Sequence, residues 1–137
     1  MGLTVLDSGV VIAILDGRDV HHAEAMVAVG AARERRDDLV LPVSAYAEAH
    51  VTPSRHGPKA LETFDGLIDA LPARIEPASR AIGASAADLR ARFGPSLKLP
   101  DALVIATAHV LTADRIITTD LGWPDTGIRV DIVAGRR

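Results

Sequence analysis

Four carboxylates occupy places where an acid can do more than solubilise a surface: Asp7, Glu48, Asp101 and Asp120. Asp7 ends the apolar run Leu3-Thr4-Val5-Leu6, Asp120 ends Ile116-Ile117-Thr118-Thr119, and Asp101 follows Pro100 ahead of a long apolar stretch. Glu48 closes Ser44-Ala45-Tyr46-Ala47-Glu48. Gathered in one place, such acids repel one another, and at least one pKa rises unless a cation is bound. Mg²⁺, or Mn²⁺ in its place, resolves that conflict. These hard ions prefer oxygen ligands, retain waters, and can hold a phosphate oxygen while activating an attacking water. Phosphodiester hydrolysis is the chemistry that follows.

Each acid also has a plainer reading. Asp7 before Ser8-Gly9 can cap a helix, and on local sequence capping and function are evenly matched. Ser8 reads as a cap or as a donor to a neighbouring acid. Asp101 is a common first-turn choice, but an acid heading an all-apolar helix is expected to be buried and needs a reason to be there. Taken singly, Glu48 reads as a solvent-facing helix residue and Asp120 as a turn residue.

The elements that must position these acids can be read from periodicity and punctuation. Strands are expected at residues 3–6, 39–41, 74–76, 115–119 and 128–133. Helices are expected at 10–15, 20–36, from 43 to near Pro53, at 59–71 and 78–93, and from Pro100 to Leu111. The helix over 20–36 would bury Ala23, Met26, Val27 and Gly30. The one opened by Pro100 is apolar nearly all round, as in a helix enclosed by the fold. Strands alternating with helices imply an α/β three-layer sandwich with a mainly parallel central sheet flanked by helices. In such sheets, sites form beyond the carboxyl ends of the strands. Asp7 and Asp120 are there, and Asp101 heads a helix whose dipole favours the ionised acid.

Bulk properties narrow the classes. With 137 residues, 48% of them hydrophobic, the chain suits a single domain spanning 1–137. Only 3% are aromatic, so Ala, Val, Leu and Ile must build the core. Cysteine is absent, which removes disulfides, thiolate metal sites and a cysteine nucleophile and suits a reducing cytoplasm. The amino terminus lacks the layout of a secretory signal, and no charge-free apolar run reaches the roughly 18 residues of a membrane span. A formal net charge of −3 argues against coating a duplex by electrostatics alone. Only Lys59 and Lys98 among the fifteen basic residues are lysines, the rest being the arginine that suits bidentate phosphate contact.

Together the motifs resemble those of the PIN-domain ribonucleases, in particular the VapC toxins of toxin–antitoxin pairs. The resemblance runs over nearly the whole chain, through Leu6-Asp7-Ser8-Gly9-Val10, Ser44 to Glu48, Leu99-Pro100-Asp101-Ala102, and Ile117-Thr118-Thr119-Asp120. It implies a Mg²⁺-dependent endoribonuclease in which Asp7 and Asp101 are the principal metal ligands and Glu48 and Asp120 complete the cluster directly or through water. Thr118 matches a supporting hydroxyl. It further implies an RNA substrate, a homodimer and a cognate protein antitoxin. The family often carries another acid two residues after the last one. Here Gly122 stands there, only the aromatic Trp123 remains of that ending, and Asp125 is better read as a turn residue, so one metal is expected.

Other residues stay outside the site on this reading. His21, His22, His50 and His56 are expected at the surface, and His109 as a hydrogen-bonded core residue. Trp123 could stack on a base, although packing over the sheet edge is the simpler role. Two other functions compete. A phospho-acceptor receiver domain needs a mid-chain aspartate ending a strand and a lysine after a late strand, and neither is present. A PIN-like domain that has lost catalysis and only binds would be expected to lack some of the four acids, all of which are here.

Overall fold

Short apolar runs such as Leu3–Leu6 have no polar face to turn to water, which is the condition of strands covered on both sides. In the computed structural model, which describes residues 1–135, such runs form the centre of a five-stranded sheet. The strands are β1 (Leu3–Leu6), β2 (Asp38–Pro42), β3 (Ala73–Glu76), β4 (Arg115–Thr118) and β5 (Val130–Ile132). Their order is β3-β2-β1-β4-β5, and every neighbouring pair is parallel. The last two residues of the expected 1–137 domain lie outside the described residues.

Six helices flank the sheet in a three-layer α/β sandwich: α1 (Ser8–Leu15), α2 (His22–Glu34), α3 (Val43–His56), α4 (Pro58–Ala70), α5 (Arg80–Phe93) and α6 (Leu99–Val110). The core is aliphatic, as the composition requires, with Phe64 the largest fully buried side chain. α6 buries Ala102 and the unbroken run from Val104 to Ala108, which explains its apolar circumference. Each fully buried Val, Leu or Ile contributes about 1.5–3 kcal/mol. Burial of Val5, Leu6, Val10 and Val11 therefore fixes the chain on both sides of Asp7.

The topology matters more for the site than the layers do. β1 lies between β2, which follows it, and β4, which arrives late from the other side. The chain thus reverses its direction of progress across the sheet at the β1–β4 edge, where a crevice opens beyond the carboxyl ends.

Several sequence expectations change. α2 turns Ala25, Val29 and Ala32 inward, while Met26 is 50% and Val27 68% exposed. The volume-rich face was expected inside, but close packing against α1 selects the stripe of small residues. α3 passes through Pro53, which is buried, to His56, and Gly57, with φ of 100°, ends the helix. His109 is exposed in the last turn of α6 and not a core residue, since the buried stripe stops at Ala108. His21, His22 and His50 are partly exposed, each with a local contact: His21 bonds Asp19, His22 Nδ1 lies 2.7 Å from Ala13 O, and His50 packs against Tyr46 and Phe64.

Candidate functional site

Strand register alone brings Asp7 and Thr118 together. Leu6 pairs with Ile117 across the parallel β1–β4 ladder, so the next residue on each strand faces the other. Thr118 Oγ1 donates to Asp7 Oδ2 at 2.7 Å, and Ser8 N donates to Asp7 Oδ1 at 2.8 Å. Asp7 is only 7% exposed, and both its oxygens are fixed. Its capping of α1 and its place among the acids are compatible, not alternatives. Ser8 contributes its backbone N–H, and its hydroxyl makes no bond to Asp7.

Thr118 has a second task. Its Oγ1 accepts from Asp120 N at 3.1 Å, while Asp120 Oδ1 accepts from Gly122 N at 2.7 Å, closing the turn that leaves β4. Asp120 is thus a turn residue and also a charge beside Asp7. Thr118→Val keeps the shape but removes both bonds. It is expected to cost about 1–3 kcal/mol in urea unfolding and, on the expectation that the acids hold Mg²⁺, to weaken that binding roughly 10- to 100-fold. Unchanged metal affinity by calorimetry would assign Thr118 to the scaffold alone.

Asp101 lies in the first turn of α6, half-buried, and Glu48 on the second turn of α3, exposed by area. Electrostatics ties the four acids together. Burial raises the Asp7 carboxyl above its ordinary 3.8, outweighing the bonds from Thr118 and Ser8, and the charge of Asp120 adds to the rise. Burial also raises Asp101, reinforced by Asp120 and Asp7, with only Trp123 and Lys98 acting the other way. Glu48 is raised by loss of water around its carboxyl, then by Asp7 and Asp101. Although Glu48 is exposed by area, its carboxyl loses part of its water and feels the charges of Asp7 and Asp101. Among the described residues, none of the four has an ion-pair partner.

This is an uncompensated negative cluster, but not a closed cage. Among the described residues no three His, Asp or Glu side chains close tightly enough to hold a metal by themselves. An all-oxygen, open arrangement fits Mg²⁺, which is ordinarily held by one or two carboxylates and keeps several waters. It does not fit a structural zinc site, which needs a full protein shell.

Further residues shape the site. A Cβ at Gly9 would collide with Thr119 Oγ1, so the glycine of Asp7-Ser8-Gly9 lets α1 start against the β4 turn. At Gly122 an added Cβ would meet only Asp120 Oδ1, at 3.4 Å, so its lack of a carboxylate is not imposed by space. Asp125 is exposed and accepts from Gly127 N, a turn role as expected. Trp123 packs against the core. Its Nε1 is buried with no acceptor in hydrogen-bond geometry, although it leans towards Asp101 closely enough to favour that charge. The sequence offered the aromatic itself as a signal, but not its approach to Asp101. A cleft of about 490 Å³ lined by Arg33, Asp38, Leu71 and Arg74 lies at the amino-terminal ends of β2 and β3, away from the acids.

Comparison with known proteins gives a consistent picture. The family model described as the PIN domain matches residues 4–128. No curated protein matches. A toxin–antitoxin complex from Klebsiella pneumoniae superposes with a TM-score of 0.75 at 22% identity, covering 96% of this chain and 98% of the other. VapBC2 from Rickettsia felis, bound to a promoter DNA fragment, gives 0.70 at 12% identity, covering 95% and 98%. VapC20 of Mycobacterium tuberculosis, a toxin that cleaves the sarcin-ricin loop, gives 0.64 at 14% identity, covering 82% and 86%. At these identities the likeness to the solved structures is one of fold.

Proposed function

Because the chain belongs to the PIN-domain family, we propose that it is a Mg²⁺-dependent endoribonuclease acting as the toxin of a toxin–antitoxin pair. The observation that carries this reading is that Asp7 and Asp101 each feel Asp120, that Glu48 feels both Asp7 and Asp101, and that none of the four forms an ion pair among the described residues. Such a cluster is costly in an empty protein and useful in one that binds a cation. The toxin role draws support from the structural likeness to a toxin–antitoxin complex and to a toxin that cleaves the sarcin-ricin loop.

Asp7 and Asp101 would hold the ion, with Glu48 and Asp120 reaching it through water. Bound Mg²⁺, or Mn²⁺, supplies polarisation of a phosphate oxygen and a lowered pKa for a water. The protein's own groups do the rest. Thr118 and the Ser8 N–H lock the Asp7 oxygens, so that carboxylate need not reorganise. Glu48, open to solvent and raised by burial and by its acidic neighbours, is the natural acceptor for the proton of the attacking water. Asp120, held by its turn, helps orient that water. With Gly122 in place of a further acid, one ion is the expected stoichiometry.

The partners belong to the same reading: an RNA substrate, a second copy of the chain and a protein antitoxin. Exposed Ile12, Met26 and Val27 supply apolar surface for such contacts. Metal-stripped protein is expected to leave a cellular RNA pool intact, and Mg²⁺ to restore endonucleolytic cutting in the wild type but not in Asp7→Ala. Full Mg²⁺-dependent cleavage by Asp7→Ala would overturn the assignment.

A further inference from the structure

Beside the acids the chain builds a second feature that hydrolysis itself does not require. The segment after β4 folds back over β5 and encloses a cleft of about 220 Å³, lined by Leu121, Trp123, Ile128, Val130 and Ile132, with Asp120 at its rim. Two of these residues join it to the acidic site. Asp120 belongs to both, and Trp123 lines the cleft while its indole nitrogen leans towards Asp101. That nitrogen is buried without a proper acceptor, an unusual expense for an indole whose only task is packing. Leu121 is 81% and Ile132 49% exposed, so the apolar walls stand open to solvent.

We propose that this cleft receives one nucleobase of the RNA strand, next to the phosphate held at the acidic site, with Trp123 and Ile132 as its walls. The inference rests on the ribonuclease reading for the identity of the occupant. Three features favour a base. The walls are aromatic and aliphatic, the surface on which bases stack irrespective of sequence. The rim carries Asp120 and Asp125, which repel a phosphate but accept N–H donors from a base edge. Asp120 borders the cleft and acts electrostatically on Asp7 and Asp101, so a nucleotide with its base in the cleft would have its phosphate on the side of those acids. The cleft would thereby bias which phosphodiester is cut.

Trp123 is the only tryptophan, so emission excited at wavelengths where Tyr46 does not absorb reports on this residue. The full chain would be titrated, with Ca²⁺ in place of Mg²⁺ to allow binding with little turnover, against a mixed-sequence ribopentanucleotide, an abasic oligomer of equal length, and N-acetyl-leucine amide. Saturable quenching by the pentanucleotide is expected, with the abasic oligomer and the leucine amide roughly tenfold weaker or silent. Ile132→Glu, on the half-exposed edge strand, is expected to weaken that quenching roughly tenfold while retaining Mg²⁺-dependent cleavage with altered site preference. Quenching by the abasic oligomer at equal affinity would replace the base with the backbone. Equal quenching by the leucine amide would mark a protein-binding cleft, and no change in Ile132→Glu would remove the cleft from recognition. RNA cleavage without base-dependent quenching refutes this proposal alone, whereas base-dependent quenching lost in Ile132→Glu, without any cleavage, refutes the nuclease reading and leaves the cleft standing.

Discussion

Asp101→Asn is expected to lower Mg²⁺-dependent kcat/KM on a defined RNA by roughly 10³-fold, the scale of several kcal/mol of charge stabilisation at the reacting phosphate. The substitution changes little else. Asparagine has nearly the same shape, Asp101 lies in the first turn of α6 where a polar residue is welcome, and the helix is anchored by the buried run from Val104 to Ala108. What disappears is a negative charge that the fold maintains against burial and against Asp120 and Asp7. Loss of that charge removes repulsion from the metal-free protein, so the variant should fold at least as well as the wild type. A catalytic collapse without a stability loss separates an active carboxylate from a structural one. A loss of only a few fold, with unchanged Mg²⁺ dependence, would show that Asp101 is not a principal ligand.

The parallel sheet was legible because its central strands β1, β2 and β4 carry short apolar runs separated by helical periodicities, and strand ends then located Asp7 and Asp120. Register supplied what spacing could not. Asp7 and Thr118 are separated by 111 positions in the chain, and only the β1–β4 ladder makes them neighbours. Glu48 was legible as a helix residue, but its orientation towards Asp7 and Asp101 depends on how α3 leaves β2, which no local pattern encodes. The misreading of α2 has the opposite origin. Its helical period was clear, yet two faces carry comparable apolar content, and the partner surface of α1 chooses the smaller side chains Ala25 and Ala32. His109 misled because its neighbours are apolar, whereas burial ends one residue earlier. The base-sized cleft at Trp123 arises from a loop folding over β5, a tertiary event that the aromatic residue alone does not announce.

The metal-free protein is expected to gain stability from these acids as pH falls from neutrality towards their ordinary carboxylate values, and Mg²⁺ to protect it mainly at neutral pH, where they are ionised. Asp7, Glu48 and Asp101 each have a folded pKa above the ordinary value of 3.8, 4.5 and 3.8. For a carboxyl raised in this way, the protonated form is the one the fold favours. Its contribution is fully present below the ordinary value and is lost as pH rises through the raised folded value. At neutral pH the folded chain therefore carries charges that the unfolded chain holds more easily. Further acidification reverses the trend. Burial would raise Asp37 too, but Thr4 and Arg35 hold it down, as Arg129 and Arg115 do for Asp131, and those contributions are lost only as pH falls through values below 3.8. A cation at the site changes the upper end of this profile. Mg²⁺ at 100 times its Kd adds about 2.7 kcal/mol, a rise in Tm of roughly 10 °C for a chain of this size. As pH falls through the raised folded values, protons compete for the same carboxylates and the rise should shrink. Asp7→Asn, which removes the most buried of the four charges, should flatten the metal-free pH profile and abolish most of the Mg²⁺ shift together. Thermal melts at neutral pH and at a pH close to the ordinary carboxylate values, with and without Mg²⁺, test this directly. An Mg²⁺ shift of equal size at both values, or one that survives Asp7→Asn intact, would place the bound cation away from these acids.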